Sequence, residues 1–466
     1  MSPIDFVRTS EAALGDASLQ DALHAAMVRF RDLQRPAQAE VPDWQALRDY
    51  AQAVKRHTLG GLAGYLTQLE AQVRAAGGHV HWARDGVEAV GIVARIAREA
   101  GPRVIKSKSM VTEEIHLNDA LEQAGLRVTE TDLGEYLVQL AGERPSHIIA
   151  PVVHKSVGAI ADLLSAKLGV PRYTQPHELT AVARQALRER FLEADVGISG
   201  VNFAVAETGT LVLVENEGNA RLVTSRPRVH IAVMGIEKVI PRLTDLAVFL
   251  TLLPRAATGQ RMSVYVSLLT GPRRAPEPDG PEALHLVILD NGRTAIHADV
   301  AMRQALSCIR CGACLNVCPV FERTGGHAYG SVYSGPIGAV LPPLVQGTRE
   351  AGSLPFASSL CGACGEICPV KIDLPGLLLE LRARTVAAGG APVAERVFVG
   401  AWTAAALRPA WFRLAGRLAR WAQRRISRRP RWLPYPLSRW IVSRDLPAAP
   451  LSAFSIGGTP RKGSRR

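Results

Sequence analysis

Residues 308–319 read Cys308-Ile-Arg-Cys311-Gly-Ala-Cys314-Leu-Asn-Val-Cys318-Pro319, a C-x2-C-x2-C-x3-C-P run. Three thiolates at two-residue gaps can wrap one iron–sulfur cube, while the fourth, turned away by the extra residue and the proline, points at a different cluster. A second group follows, Cys361-Gly-Ala-Cys364-Gly-Glu-Ile-Cys368-Pro369. Aligned on its Cys-Pro end it lacks one thiolate, and that position falls at Ser358. Crossed ligation then assigns Cys308, Cys311, Cys314 and Cys368 to one [4Fe–4S] cluster and leaves Cys318, Cys361 and Cys364 for a second. Structural zinc is the competing use of such thiols, but it favours two paired C-x2-C units over three cysteines and a Cys-Pro.

Working outward, all 7 cysteines lie between positions 308 and 368 of a 466-residue chain. An odd, clustered set with no secretory signal at the start argues against a disulfide framework and for metal binding in a reducing cytosol. The hydrophobic fraction of 47% with 21% charged residues is that of a globular protein and excludes disorder of the whole chain. The best candidate for a membrane span, Val397 to Leu407, stops at Arg408-Pro409 and is too short.

The alternation of short apolar runs with helical stretches sets the rest of the architecture. Residues 1–76 read as helical, with Leu62, Leu66, Leu69 and Val73 on one face. From 77 to 295, strands are expected at His79–Trp82, Arg103–Lys106, Arg127–Glu130, His147–Val152, Thr210–Glu215, Val229–Met234, Val264–Leu268 and His285–Leu289. That pattern indicates an α/β domain with a largely parallel sheet, interrupted by a helix at 182–193 and by the glycine-rich stretch Gly197–Gly218. Residues 296–385 form the helical di-cluster segment, beginning with a helix around 296–307, and 386–466 a basic C-terminal region.

At these residues the chain resembles the lactate-utilisation protein B family of iron–sulfur proteins. The likeness rests on the two cysteine motifs, on G-G-H-A-Y-G-S-V-Y-S-G-P-I-G-A-V (325–340), on A-E-T-G-T-L-V-L-V-E-N-E-G-N-A-R (206–221) and on H-V-H-W-A-R-D (79–85). The resemblance implies a cytoplasmic electron-transfer subunit with two [4Fe–4S] clusters, one member of a multi-protein system oxidising L-lactate to pyruvate. The implied partners are an A-type cysteine-rich protein and a C-type LUD protein. It also implies a fold: an α/β LUD-type domain, similar to ribose-phosphate isomerases and CoA transferases, joined to an α-helical di-cluster ferredoxin-like domain and a basic tail. Seven cysteines are the family pattern, so Ser358 is not a private loss.

Other residues compete for a role. Glu207-Thr208-Gly209-Thr210 with Glu215, Glu217, Gly218, Asn219 and Arg221 suits an anion or carbonyl pocket at strand ends, or a set of turns. Lys106-Ser-Lys108-Ser109-Met110 offers basic groups and amides to a carboxylate, or is a solvated strand end. His327 and Tyr329 suit hydrogen bonds to a cluster or plain packing. His116 and His154 read as surface or core residues rather than ligands. Gly60-Gly61-Leu-Ala-Gly64 has no preceding strand, so it is no dinucleotide fingerprint. The rival function is a self-contained oxidoreductase whose LUD-like pocket binds a small carboxylate; a scaffold subunit is a third reading.

The formal charge of +13 is uneven: residues 381–466 hold 17 Arg and one Lys against only Glu395 and Asp445. Arg413, Arg417, Arg420, Arg424 and Arg428 follow near-helical spacing with Trp411 and Trp421 interleaved. Such a stretch suits an anionic membrane surface, making the protein cytoplasmic but membrane-peripheral, or a partner's acidic face, or else is a solvated tail. No nucleic-acid-binding motif accompanies it, and no nucleic-acid partner is expected.

Overall fold

The computed structural model describes residues 3–390 and 393–426. The described residues up to Ala388 pack as one unit and those from Gly389 as another.

Four helices open the first unit: α1 (Phe6–Leu14), α2 (Ala17–Ala39), α3 (Trp44–Gly60) and α4 (Leu62–Ala75). Asp5 and Asp16 cap the first two by accepting the N–H groups of Arg8 and Leu19. The expected face of α4 is the buried one, with Leu62, Leu66, Leu69 and Val73 all under 7% exposed. Each such side chain contributes about 2 kcal/mol of burial. Gly77, at φ +90°, then turns the chain into the sheet.

Ten strands follow: β1 (His79–Ala83), β2 (Arg103–Lys106), β3 (Arg127–Glu130), β4 (Val196–Gly200), β5 (Phe203–Val205), β6 (Thr210–Glu215), β7 (Val229–Gly235), β8 (Val239–Ile240), β9 (Tyr265–Leu269) and β10 (Ala283–Leu289). Six form a parallel sheet in the order β1-β10-β7-β4-β2-β3. Its central strands β4 and β7 are buried on both faces, as a sheet flanked by helices requires, and their one buried polar pair, Ser199 and His230, is hydrogen-bonded at 2.7 Å.

Three expectations are corrected. His147–Val152 is not a strand but a loop: the buried His147 ring accepts the N–H groups of Ile149 and Ala150 on Nδ1, and Ser146 N–H donates to Pro151 O. The stretch Gly197–Gly218 does break the strand–helix alternation, but with strands in succession, most of β4 and all of β5 and β6, and the first two of these are absent from the expected set. Glycine is required in β4, because a Cβ on Gly197 would lie 1.9 Å from Val223 O. Finally, β6 and β9 leave the parallel sheet for a second one, β8-β5-β6-β9, in which they pair antiparallel.

After β10 the chain folds into short helices around the cysteines and one longer helix, Leu374–Ala387. The expected helix over 296–307 is two pieces, Arg293–Ala298 and a 3-10 turn Arg303–Ser307, because Asp299 leaves helical geometry and caps Ala301 and Met302 N–H. The cysteine region and the α/β part share one apolar core. The second unit holds helices Val393–Ala406 and Pro409–Ile426. Among the described residues no helix is long and apolar enough to cross a membrane.

Candidate metal centre

The C-x2-C-x2-C run is a tight coil. Arg310 sits at φ +62° and Gly312 at φ +74°, so successive side chains turn inward toward a common hollow. Cys308, Cys311, Cys314 and Cys368 line that hollow together with Ile309, Ile337, Val370 and Leu374. Cys318, Cys361 and Cys364 belong to a different neighbourhood. Burial raises the thiols of Cys311, Cys314 and Cys368, the last to about 11, and their further like-charge neighbours are members of the first four. Burial also raises Cys318 and Cys364, the latter to about 12, but here the neighbours are Cys361 and each other. Cys361 alone is exposed.

The surroundings of the thiols fit iron–sulfur clusters. Backbone N–H groups of Arg310, Phe321 and Ile372 point at the sulfurs of Cys308, Cys318 and Cys368 at 3.4, 3.5 and 3.4 Å. Such donors stabilise thiolate and sulfide charge. Tyr329 is fully buried, its hydroxyl has no hydrogen-bond partner among the described residues, and its charged neighbours are Cys318 and Cys314. A cluster would give that orphaned donor an acceptor. The first four thiols line the wall of one hollow together. A cube asks for that arrangement, since each thiolate binds a different iron.

Four cations flank the first group, and sequence reasoning singled out none of them, Arg310 standing in the cysteine run without a role. Arg48, on α3, donates to Cys368 O at 3.1 and 2.9 Å. Lys55, one helical turn pair further on, donates to Glu237 O at 2.6 Å. Lys238 and Arg310 complete the set, both feeling the charge of Cys308. Burial pushes the amines of Lys55 and Lys238 down to about 8. Glu237 anchors the group: burial alone would raise its carboxyl, but Arg293 and Arg310 outweigh that and hold it down to about 2. Arg293 in turn bridges to Glu114, which also accepts from Tyr333 Oη at 2.6 Å. No local spacing announces these residues, because they come from α3, the β7–β8 connection and the loop at 333.

Of the remaining candidates, His327 Nε2 meets Arg144 O at 2.7 Å and its ring packs edge-on against His154, which pairs with Glu143. His116 begins a helix at φ +50°. Ser358 Oγ accepts Leu360 N–H at 3.1 Å.

The strand-end residues divide. Glu207 accepts Leu243 N–H, and Arg221 lies over the Tyr265 ring, so each side chain has a partner elsewhere. Lys106 is buried between Glu130 and Glu113. In contrast, Ser107, Lys108, Ser109, Glu215 and Glu217 line one cavity of about 270 Å3, together with Asp132, Asn202, Lys238 and Arg310. Gly200 admits Ser109 there, since a Cβ would lie 2.6 Å from its hydroxyl. Arg310 belongs to both walls, so this cavity abuts the first cysteine coil.

Comparison with known proteins agrees with both halves. A family model for the LUD domain matches residues 66–289, and one for a 4Fe-4S dicluster domain matches 304–372. Lactate utilization protein B of Bacillus licheniformis is 44% identical over 446 residues, covering 95% of this chain and 93% of the relative. The protein of that name from Bacillus subtilis is 43% identical over 457 residues, covering 96% and 94%. That from Macrococcus caseolyticus is 44% identical over 449 residues, covering 95% and 94%. A solved structure, a DUF162 family protein from Deinococcus radiodurans, overlaps 49% of this chain and 98% of its own at 15% identity and a TM-score of 0.28. The architecture is thus a LUD domain with a parallel-sheet α/β core followed by a 4Fe-4S dicluster domain of ferredoxin type.

Proposed function

The chain belongs to the lactate utilization protein B family, and on that premise we propose that it is a cytoplasmic iron–sulfur electron-transfer subunit of a multi-protein system oxidising L-lactate to pyruvate. It holds two [4Fe–4S] clusters, one on Cys308, Cys311, Cys314 and Cys368, the other on Cys318, Cys361 and Cys364 with Ser358, water or a partner's residue as fourth ligand. Its partners are the A-type cysteine-rich and C-type LUD proteins.

The observation that carries this reading is the gathering of Cys368 with Cys308, Cys311 and Cys314 across 54 residues of sequence. The clusters supply one-electron transfer and no two-electron step. The chain's own residues do the rest: apolar side chains keep water from the first thiol group, N–H donors and four cations offset its negative charge, and the exposed Cys361 gives the second group an opening to a partner. Domains follow as proposed from the sequence: 1–76 helical, 77–295 LUD-like, 296–385 di-cluster and 386–466 basic.

The second unit supports peripheral binding to an anionic membrane surface. On helix Pro409–Ile426, Trp411, Leu414, Leu418 and Trp421 share one face and are all about half exposed, while Arg413, Arg417 and Arg420 run along one side of it. Arg428 lies outside the described residues.

The test is turnover. Purified alone, the protein should not oxidise L-lactate with an artificial acceptor; mixed with its A-type and C-type partners it should become reduced by lactate. Turnover by the isolated chain would favour the self-contained oxidoreductase instead.

A further inference from the structure

The cavity at the strand ends shares Lys238 and Arg310 with the surroundings of the first cysteine group, but the rest of its lining has no part in electron transfer as described and is built like a ligand site. It lies where the sheet connections diverge: from β2 the chain crosses to β3 at one edge, from β4 it heads toward β7 and the opposite edge. The loops leaving these two strands, Ser107–Val111 and Gly200–Asn202, line the cavity. Open parallel sheets bind ligands at such a point.

Its polar groups specify the ligand's charge. Lys108 is spent on Glu135 at 2.9 Å and Arg310 on Glu237 at 3.2 Å. Lys238 makes no hydrogen bond or ion pair among the described residues, and neither do the hydroxyls of Ser107 and Ser109. One unpaired cation suits one negative charge. Acceptors lie on the same lining: Asp132 gives one carboxylate oxygen to Lys108 N–H, and Glu217 gives one to Leu133 N–H. The other oxygen of each remains for a ligand hydroxyl. These carboxylates also disfavour a phosphate or a dicarboxylate, whose second charge would find no free cation.

We propose that this cavity binds a short monoanionic hydroxycarboxylate, its carboxylate on Lys238 and the two serines and its hydroxyl donating to Asp132 or Glu217. Through Arg310 the bound acid sits against the wall of the first cysteine coil. The proposal deepens the functional reading and rests on it for the choice of probe, L-lactate.

The experiment is anaerobic calorimetric titration of the full-length protein with L-lactate, propionate and phosphate, with iron and sulfide assayed on the same sample. Saturable 1:1 binding of L-lactate is expected, at least tenfold tighter than that of propionate, which lacks the hydroxyl, and with no phosphate binding. Lys238→Met should weaken it tenfold or more, and Ser109→Ala should weaken it even where Lys238→Met lowers cluster content. Protein with full iron and sulfide that binds no lactate, binds propionate equally well, or keeps its affinity in both variants overturns the proposal. Protein that binds lactate but holds neither iron nor sulfide overturns the cluster reading and leaves the cavity's role standing.

Discussion

Arg310, the residue before Cys311, donates from Nη2 to Glu237 Oε1 at 3.2 Å and so ties the first cysteine coil to the connection between β7 and β8. Both side chains are under 10% exposed. The metal-binding coil and the sheet therefore share one buried ion network, with Arg293 and Glu114 as its other members.

Removing one partner of such a network leaves the other charge buried and uncompensated. Glu237→Gln should cost roughly 3–5 kcal/mol and lower the melting temperature. The pH dependence has the matching sign: Glu237 is held down to about 2 in the folded protein, so its contribution is complete above its ordinary value and is lost as the pH falls toward 2. Thermal melts of wild type and Glu237→Gln across pH 3 to 7 should draw closer together toward the acid end; parallel curves would remove Glu237 from the account.

The cations are distributed unequally. Arg48, Lys55, Lys238 and Arg310 act on Cys308 or Cys368, whereas the charged neighbours of Cys318 are Cys361 and Glu322. The first cluster should therefore have the higher reduction potential. Lys55→Met should lower it by roughly 30–60 mV, a factor of about three to ten in a one-electron equilibrium, read by potentiometric titration with paramagnetic resonance. A potential unchanged in that variant would mean that solvent, not charge, sets it.

Tyr329 separates a tuning role from packing. Tyr329→Phe keeps the ring contact with Phe6, at a centroid distance of 5.0 Å, and removes only the orphaned hydroxyl. The expected outcome is a lowered cluster potential with unchanged iron content, because a donor to sulfur is lost. An unaltered potential would assign the residue to packing.

For the basic tail, a chain ending at Ala388 should keep its iron and sulfide but no longer co-sediment with vesicles containing anionic lipid. Binding by the full chain should weaken between low salt and about 0.5 M, as screening shortens the reach of the arginines. Equal sedimentation of both chains would leave the tail without a membrane role.

Much of this was legible in the sequence where signals are local. The spacing of Cys308 to Pro319 and the period of Leu62 to Val73 need only a few residues to be read. What escaped depends on distant partners. His147–Val152 has the composition of a strand, but the His147 ring, held from the far side by Asn316 at 3.2 Å, supplies hydrogen bonds that a neighbouring strand would otherwise give. The glycines of β4 read as an interruption of the pattern, although Gly197 is there because Val223 crowds the strand and Gly200 because Ser109 does. Of the two strand-end motifs, Lys108 and Ser109 meet Glu215 and Glu217 in one cavity while Glu207 and Arg221 turn elsewhere, a division that only the fold decides.

The crossed assignment of the cysteines is tested most directly by paramagnetic resonance on four anaerobically purified variants, Cys311→Ala, Cys368→Ala, Cys318→Ala and Cys364→Ala. Cys311→Ala and Cys368→Ala should damage one and the same cluster signal, and Cys318→Ala and Cys364→Ala the other, against a wild type with about eight irons and eight sulfides. If Cys368→Ala instead removed the signal that Cys364→Ala removes and left that of Cys311 intact, the ligand sets would be wrong; zinc without sulfide in the wild type would contradict the electron-transfer reading itself.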